Sequence, residues 1–311
     1  MDIEIKDRYL GCLLGLACGD AAGTTVEFKD PGTFPPVTDM VGGGPFGLPP
    51  GAWTDDTSMA LCLAESLVES GGFDPRDQME RYIRWYREGR FSSTGRCFDI
   101  GSTTRGALEN FLKTGEPYSG SDHPRSAGNG SIMRLAPVPM CFAGDMYAVA
   151  HYSGESSRTT HGAAEAVDAC KLFGVIIALA LAGKPKESIL FETSAWLNTA
   201  ALSPRIAAIA QGEYKHKSIK EIRGSGYVVD SLEAALWSFW HTASFEQAVL
   251  TAVNLGRDAD TTAAVVGQVA GAFYGIRNIP PGWLQKLVMR QEIESLAAQL
   301  WQQNKEHRLE H

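Results

Sequence analysis

The chain has 311 residues, of which 44% are hydrophobic and 21% are charged, so it is long enough to bury a large core. Its formal net charge is -8, and an acidic surface repels phosphate backbones, which argues against a nucleic acid as partner. The chain starts with acidic residues, and its longest apolar run, Leu172 to Ala182, is too short to cross a bilayer, so we expect neither a secretory leader nor a membrane span.

The cysteines indicate the compartment. Most of the six lie among apolar neighbours, and no pair has the Cys-x-x-Cys spacing. We therefore expect reduced core residues in a cytoplasmic protein. No change of composition marks a linker, so we expect one domain over residues 1–308. Residues 309–311 resemble the start of an expression tag.

Helical periodicity runs through most of the chain. Residues 60–68 carry apolar side chains at the i, i+3, i+4, i+7 and i+8 positions of an amphipathic helix. The same spacing predicts helices at 76–88, 103–112, 162–182, 186–201, 231–240, 245–255 and 260–275. We find no alternating strand pattern, and therefore predict an all-α protein of about ten or more helices. Long loops are predicted at 29–53, 114–131 and 212–228, where glycine, proline or polar residues accumulate.

Two segments carry glycine at every fourth position. These glycines are Gly11, Gly15, Gly19 and Gly23 in the first segment and Gly267, Gly271 and Gly275 in the second. Glycine costs about 1 kcal/mol per helix position relative to alanine, so such a series needs a reason. We predict two central helices whose backbones approach closely and which pack on each other.

Acidic residues cluster at two predicted helix starts, far apart in sequence. The clusters are Thr54-Asp55-Asp56-Thr57 and Asp258-Ala259-Asp260-Thr261. Aspartate is a common N-cap, but a cap needs one side chain, and each cluster has two carboxylates in small or apolar surroundings. Hard oxygen donors without histidine or cysteine suit Mg²⁺ or Mn²⁺, suit Ca²⁺ less well, and argue against zinc. From these residues alone, helix caps and a metal site both remain open.

A series of motifs, arriving in order along nearly the whole chain, resembles the ADP-ribosylglycohydrolase family. The motifs are the glycine series from Gly11 to Gly23 with Glu27, then Gly51 to Thr57, Asp99 to Arg105, Ala127 to Arg134, Thr160-His161, and Gly256 to Thr262. Any one of them is weak evidence, but their joint order is specific.

The resemblance implies an orthogonally packed all-α fold around two Mg²⁺ or Mn²⁺ ions. It also implies hydrolysis of the bond between ADP-ribose and an acceptor, often an arginine side chain of a modified protein. The implied metal ligands are Thr54, Asp55, Asp56, Asp258, Asp260 and Thr261. The implied catalytic residues are Glu27, Asp99 and Asp56; whether Glu27 or Asp99 is the acid or the base is left open.

The resemblance also implies a substrate-binding set. Its members are Gly128, Asn129, Gly130, Ser131, Met133, Arg134, His161 and Tyr227. We expect the loop of residues 127–134 to offer backbone N–H groups to a diphosphate, with help from Ser131. Arg134 either contacts phosphate or pairs with a structural acid. His161 is a candidate wall of the pocket, and Tyr227 either stacks on adenine or packs its own loop.

Three other functions compete with hydrolysis of ADP-ribosyl-arginine on a protein. The first is hydrolysis of a different conjugate: ADP-ribosyl-guanidine, O-acetyl-ADP-ribose or ADP-ribosyl-serine. The second is a non-catalytic ADP-ribose-binding protein, and the third is a two-metal phosphatase or nuclease. The carboxylate of Asp99 favours a guanidinium acceptor. Oligomeric state stays open. The structural prediction is that both acidic clusters face one cleft, with Glu27 and Asp99 on its rim.

Overall fold

The computed structural model describes residues 2–309; the chain is 65% helical, with 14 helices and no strand in that range. This confirms the predicted all-α class. The helices are α1 Asp2–Gly23, α2 Asp55–Glu69, α3 Pro75–Glu88, α4 Ser102–Thr114, α5 Pro137–Phe142, α6 Met146–Arg158, α7 Ala164–Leu181, α8 Lys186–Trp196, α9 Pro204–Ala210, α10 Val228–Trp240, α11 Phe245–Val253, α12 Ala259–Tyr274, α13 Pro281–Lys286 and α14 Arg290–Leu309. Glu310 and His311 of the predicted tag lie outside the described residues.

Every helix predicted from periodicity is present. The predicted helix at 186–201 is shorter, because α8 ends at Trp196 and a 3₁₀ turn follows at Thr199–Ala201. Five helices were not predicted from the sequence: α5, α6, α9, α13 and α14. Of these, α5, α9 and α13 begin with a proline and have six or seven residues, too few to establish a period. In the three predicted loops the described backbone forms 3₁₀ turns, irregular structure and only the ends of flanking helices.

Helices α1 and α12 pack directly on each other, as their glycines predict. A Cβ atom on Gly15 would collide with the carbonyl oxygen of Gly267, and one on Gly271 would collide with that of Gly11. Any side chain at these positions would therefore push the helices apart. Because Gly11 faces Gly271 while the later Gly15 faces the earlier Gly267, the two helices are antiparallel. The end of α1 consequently lies beside the start of α12.

The core surrounds the apolar helix α7, which is almost entirely buried and contacts α6, α8, α10 and α12. One helical stretch, Ile3–Val26, is long and apolar enough to cross a membrane by length and composition alone. Inside this protein 89% of its most apolar window is buried, as expected for a core helix. Because this stretch is buried, the end of α1 lies at the centre of the molecule.

Candidate active site: two acidic helix starts in one cleft

The two acidic clusters meet at the end of α1. The hydroxyl of Thr54, before α2, donates a hydrogen bond to Oδ2 of Asp260 in α12 (3.2 Å). The hydroxyl of Thr261 donates in the other direction, to Oδ1 of Asp56 (3.3 Å). Antiparallel packing of α1 on α12, together with the loop that returns to α2, therefore joins segments about two hundred residues apart into one centre.

These carboxylates do not act as caps for their own helices. Within the described residues, the N-cap positions of α2 and α12, Thr54 and Asp258, make no side-chain capping hydrogen bond. Asp258 Oδ2 instead accepts a hydrogen bond from Nδ2 of Asn129 (2.7 Å). Asp56 is 0% exposed and Asp260 is 2% exposed, whereas a cap at a helix end is usually solvated. The capping interpretation therefore fails for both clusters.

A carboxylate that the sequence analysis did not single out, Asp20 of α1, organises the start of α2. Its Oδ1 accepts hydrogen bonds from the backbone N–H (2.8 Å) and the hydroxyl (2.9 Å) of Thr54. Its Oδ2 accepts from the backbone N–H (3.0 Å) and the hydroxyl (2.7 Å) of Thr57. The available signal was a lone acid directly after Gly19, in a helix of small and apolar residues.

The centre concentrates negative charge in a buried space. Burial is the largest cause that raises the pKa of Asp55, Asp56 and Asp260 well above the usual range, and neighbouring carboxylates raise each further. Three carboxylate oxygens of this centre have no hydrogen-bond partner in the part of the chain that the structure describes: Asp56 Oδ2, Asp260 Oδ1 and Glu27 Oε2. Buried carboxylates with unpaired oxygens are costly unless a cation compensates them.

The donor set fits a divalent cation. Two trios of carboxylates share Asp260, one completed by Asp20 and Asp56 and the other by Glu27 and Asp99. Within each trio, one oxygen from each residue lies within 4.8 Å of the others. Oxygen-only ligands of this kind are those that Mg²⁺, Mn²⁺ and Ca²⁺ use in proteins.

Glu27 and Asp99 form a hydrogen-bonded pair on the wall of the cleft. Burial, followed by the charge of Asp99, raises the pKa of Glu27 to about 9. Burial, followed by the charge of Asp20, raises the pKa of Asp99 to about 7. The hydrogen bond between them raises the pKa of Glu27 and lowers that of Asp99, so Glu27 is the donor and Asp99 the acceptor, and the pair is suited to proton transfer at the ring of a bound sugar.

A cleft of about 700 Å³ opens over this centre. The predicted site residues that line it are Glu27, Asp55, Asp99, Gly128, Asn129, Gly130, Met133, His161, Asp258, Asp260 and Thr261. Both acidic clusters therefore reach one cleft beside Glu27 and Asp99, the first cluster through Asp55 and not through Thr54 or Asp56.

A second cleft of about 620 Å³ continues from the first and shares Thr103, Gly128 and Gly226 with it. Tyr227 lines this second cleft, and its hydroxyl donates a hydrogen bond to Glu165 (2.5 Å). The other charged residues in its walls are Arg125 and Arg205. The two clefts together therefore have an acidic end and a more basic, aromatic end.

Comparison with known proteins identifies the family. The family model described as ADP-ribosylglycohydrolase matches residues 1–310. The chain belongs to the ADP-ribosylglycohydrolase family. It is similar to "ADP-ribosylarginine hydrolase Tri1" of Serratia proteamaculans (strain 568), with 48% identity over 96% of this chain and 80% of that protein. It is also similar to "ADP-ribosyl-[dinitrogen reductase] glycohydrolase" of Rhodospirillum rubrum, with 33% identity over 94% of each chain.

A solved structure has the same fold. The "ADP-ribosylglycohydrolase-related protein complex" superimposes with a TM-score of 0.87 at 45% identity, covering 97% of this chain and 99% of that one. Family membership makes this protein a hydrolase of glycosidic bonds in ADP-ribose conjugates, and the family is metal-dependent. The acidic centre and its cleft are thus the candidate active site of an ADP-ribosylglycohydrolase.

In this ADP-ribosylglycohydrolase, Ser131 and Arg134 lie behind the loop rather than in the cleft. Ser131 accepts a hydrogen bond from the hydroxyl of Ser157 (2.9 Å). Arg134 is fully buried and donates to the carbonyl oxygen of Gly130 (3.1 Å) and the hydroxyl of Thr160 (2.7 Å). Neither is among the described residues that line the cleft. Arg134 meets neither of its two predicted partners here, because it supports the loop from beneath.

Two backbone N–H groups of the same loop form hydrogen bonds within the protein. The N–H of Gly128 donates to the carbonyl oxygen of Ser126 (2.8 Å), and that of Asn129 donates to Gly226 (3.1 Å). These two groups are therefore not available to the diphosphate that the sequence analysis assigned to the loop. Asn129 also uses its side-chain amide on Asp258, so it positions the acidic cluster.

The tautomer of His161 can be assigned from its hydrogen-bond network. Burial, followed by the charge of Arg134, lowers the pKa of His161 to about 3, so the ring is neutral. Because Arg134 donates to Thr160 Oγ1, the hydroxyl hydrogen is free to donate to His161 Nδ1 (2.9 Å). The ring hydrogen is then assigned to Nε2. A Cβ on Gly130 would approach Nε2 to 3.0 Å, so a glycine here keeps that donor accessible.

Proposed function

We propose that this enzyme removes ADP-ribose from arginine side chains of modified proteins. The observation that carries the proposal is the carboxylate pair Glu27 and Asp99 in the wall of the acidic cleft, because a guanidinium is best received by carboxylates. Two bacterial relatives named as ADP-ribosylarginine hydrolases, 48% and 49% identical, support the same acceptor.

We further propose two divalent cations, Mg²⁺ or Mn²⁺, in the acidic centre. Their proposed ligands are Thr54, Asp55, Asp56, Asp258, Asp260 and Thr261. The unpaired oxygens Asp56 Oδ2 and Asp260 Oδ1 support this assignment, since a cation would satisfy both. When bound, such ions polarise a water molecule and orient the hydroxyls of the ribose. Asp20 holds Thr54 and so positions a ligand.

The order of side chains along the two clefts sets the order of the substrate. Tyr227 can stack on adenine, with Arg205 beside its ring (5.7 Å to the centroid). Gly130 and the Nε2–H of His161 can then face the diphosphate. The distal ribose would lie over the acidic centre, where the carboxylates stabilise positive charge developing at its anomeric carbon. The arginine would lie against the pair formed by Glu27 and Asp99, where the carboxylate of Asp99 can receive its guanidinium.

Hydrolysis adds the oxygen of water to the anomeric carbon and breaks the bond to the guanidine nitrogen. One proton must leave the water, and one must reach the departing nitrogen. The pair formed by Glu27 and Asp99 holds one proton between two carboxylates, so it can carry out both transfers in sequence. This is the role that we propose for the pair.

A cytoplasmic location is also part of the proposal. All six cysteines, each within residues 2–309, are free, and five of them are buried. Free core cysteines are typical of a reducing compartment.

The test is turnover of a panel of conjugates by the purified enzyme. We expect hydrolysis of ADP-ribosyl-arginine with Mg²⁺ or Mn²⁺, and loss of activity in EDTA. Glu27→Gln should lower kcat by about 100-fold or more, because general acid–base catalysis contributes at least that factor. Glu69→Gln, at the exposed end of α2, is the matched control. Turnover of only ADP-ribosyl-serine or O-acetyl-ADP-ribose, or ADP-ribose binding without any hydrolysis, would contradict the proposal.

A further inference from the structure

Phe28 presents an exposed aromatic ring in the wall of the acidic cleft. It follows Glu27 directly in the chain, and its side chain is 67% exposed. Its backbone has φ +62°, a conformation that is a genuine outlier for a bulky residue. Backbone strain of this kind persists only where the surrounding structure imposes it, and it concentrates at ligand-binding positions.

The backbone of Phe28 is clamped to the segment that leads into the second acidic cluster. Its N–H donates to the carbonyl oxygen of Arg257 (2.6 Å), and the N–H of Arg257 donates to Lys29 (2.6 Å). Arg257 is itself at φ +58°. A Cβ on the preceding Gly256 would come within 2.5 Å of the carbonyl oxygen of Lys29. The position of the ring is therefore tied to that of Asp258.

Phe28 lies away from the nucleotide end. The residues common to both clefts are Thr103, Gly128 and Gly226, and they mark the passage toward Tyr227. Phe28 lines only the acidic cleft, next in sequence to the glutamate of the carboxylate pair. A conjugate with its adenine near Tyr227 and its ribose over the acidic centre would direct its acceptor toward Phe28.

We propose that the ring of Phe28 forms one wall of the acceptor site and stacks on the planar guanidinium of the ADP-ribosylated arginine. This inference rests on the proposed function and deepens it, because it names a residue that selects the acceptor. An aromatic face beside carboxylates binds a planar cation through its quadrupole and through stacking. Arg257 also lines this cleft, and its guanidinium is paired with Asp30 (3.3 Å between Nε and Oδ1).

A single exposed aromatic residue is ordinary on a protein surface. The effect of substituting Phe28 must therefore be compared with that of substituting another exposed phenylalanine. Phe191 of α8 is 82% exposed and lies within a helix, outside the residues that line the two clefts. It has the same side chain in a regular backbone, and it is the matched control.

The experiment measures kcat/KM for ADP-ribosyl-arginine and the Kd for ADP-ribose, which lacks the acceptor. Phe28→Leu should lower kcat/KM about tenfold, the size of a partly desolvated cation–π contact, while leaving the Kd for ADP-ribose unchanged. Phe28→Tyr should keep wild-type values, and so should Phe191→Leu. Phe28→Gly, which relieves the strained backbone and therefore keeps the fold, should repeat the loss seen with leucine.

The outcomes separate this inference from the proposed function. Wild-type activity on ADP-ribosyl-arginine with an unaffected Phe28→Leu variant overturns the role of the ring alone. An equal loss of ADP-ribose binding overturns it as well, because the defect would then lie outside the acceptor site. A wild-type enzyme inactive on ADP-ribosyl-arginine overturns the proposed function and this inference together.

Discussion

Helices α3 and α6 begin beside an aspartate, as α2 and α12 do, yet the carboxylates behave in opposite ways. Asp74, before α3, is exposed and accepts hydrogen bonds from two N–H groups of its own helix (2.8 and 3.1 Å). Asp145, before α6, does the same (both 3.0 Å). These are ordinary caps, each satisfied by the backbone that follows it.

At α2 the capping function has moved to another element. Asp20 of α1 accepts the N–H of Thr57, the third residue of α2, which a local cap would normally bind. Asp56 is thereby released from the backbone, and its Oδ2 has no partner in the described part of the chain. A carboxylate at the start of a helix is therefore available to a cation where a different residue caps that helix.

The largest effect is expected from a substitution that removes the carboxylate of Asp56. Asp56→Asn should lower hydrolysis of ADP-ribosyl-arginine by more than about 100-fold, since even partners of metal ligands typically contribute 10–100-fold. The same change should raise the melting temperature in EDTA, because it removes one of several buried like charges. Steady-state kinetics and thermal melts check both. A variant with normal activity, or one that is less stable in EDTA, would place Asp56 among the caps.

The next largest effect is the pH dependence of stability, which distinguishes the buried carboxylates of the acidic centre from the exposed capping aspartates. The raised pKa values of Asp99 (about 7) and Glu27 (about 9) mean that the folded state binds more protons than the unfolded state above their ordinary pKa values. Metal-free stability should therefore fall as pH rises toward about 9. The range from pH 6.5 to about 8 isolates this effect, because two groups act in the opposite direction outside it: His161, with its pKa lowered to about 3, below pH 6.5, and Lys186, with its pKa lowered to about 8, above pH 8.

Divalent cation should remove this loss. At a concentration about 100 times its Kd, Mg²⁺ or Mn²⁺ should stabilise the fold by about 2.7 kcal/mol, and more at high pH than at low pH. Thermal melts at pH 6.5 and pH 8 (the limits set by His161 and Lys186) with and without the cation make the measurement. Stability in EDTA that rises over this range would show that the acidic centre is not the controlling charge cluster.

Periodicity predicted most helices because it reports which face of a single helix is buried. It also predicted one contact between distant helices, since Gly15 and Gly267 lie in matching glycine series that each need a partner without side chains. Asp20 belongs to the same helix as Gly15, but its function depends on the start of α2. That contact leaves no periodic trace in either segment, so residue pattern alone could not assign it.

The substrate loop shows a second limit. The family resemblance implied that residues 128–134 surround a ligand, and Gly128, Gly130 and Met133 do line the cleft. Which side of the loop each side chain occupies depends on its neighbours. Arg134 turns inward because Gly130 and Thr160 offer acceptors there, and its guanidinium lies over the ring of Tyr82 (4.5 Å). The spacing of residues in the sequence does not predict that an arginine is buried with its hydrogen bonds made inside the protein.

The smallest effect is expected at an ordinary cap. Asp145→Ala should lower the free energy of unfolding by about 1 kcal/mol, the usual value of an N-cap, and leave hydrolysis unchanged. For a chain of 311 residues that corresponds to about 1.5 °C in Tm. Asp145→Ser, which keeps a capping oxygen, should recover most of the loss. A serine variant no better than alanine would show that the carboxylate acts through its charge. Loss of activity in either would mean that the start of α6 communicates with the cleft, and the contrast with Asp56 would no longer hold.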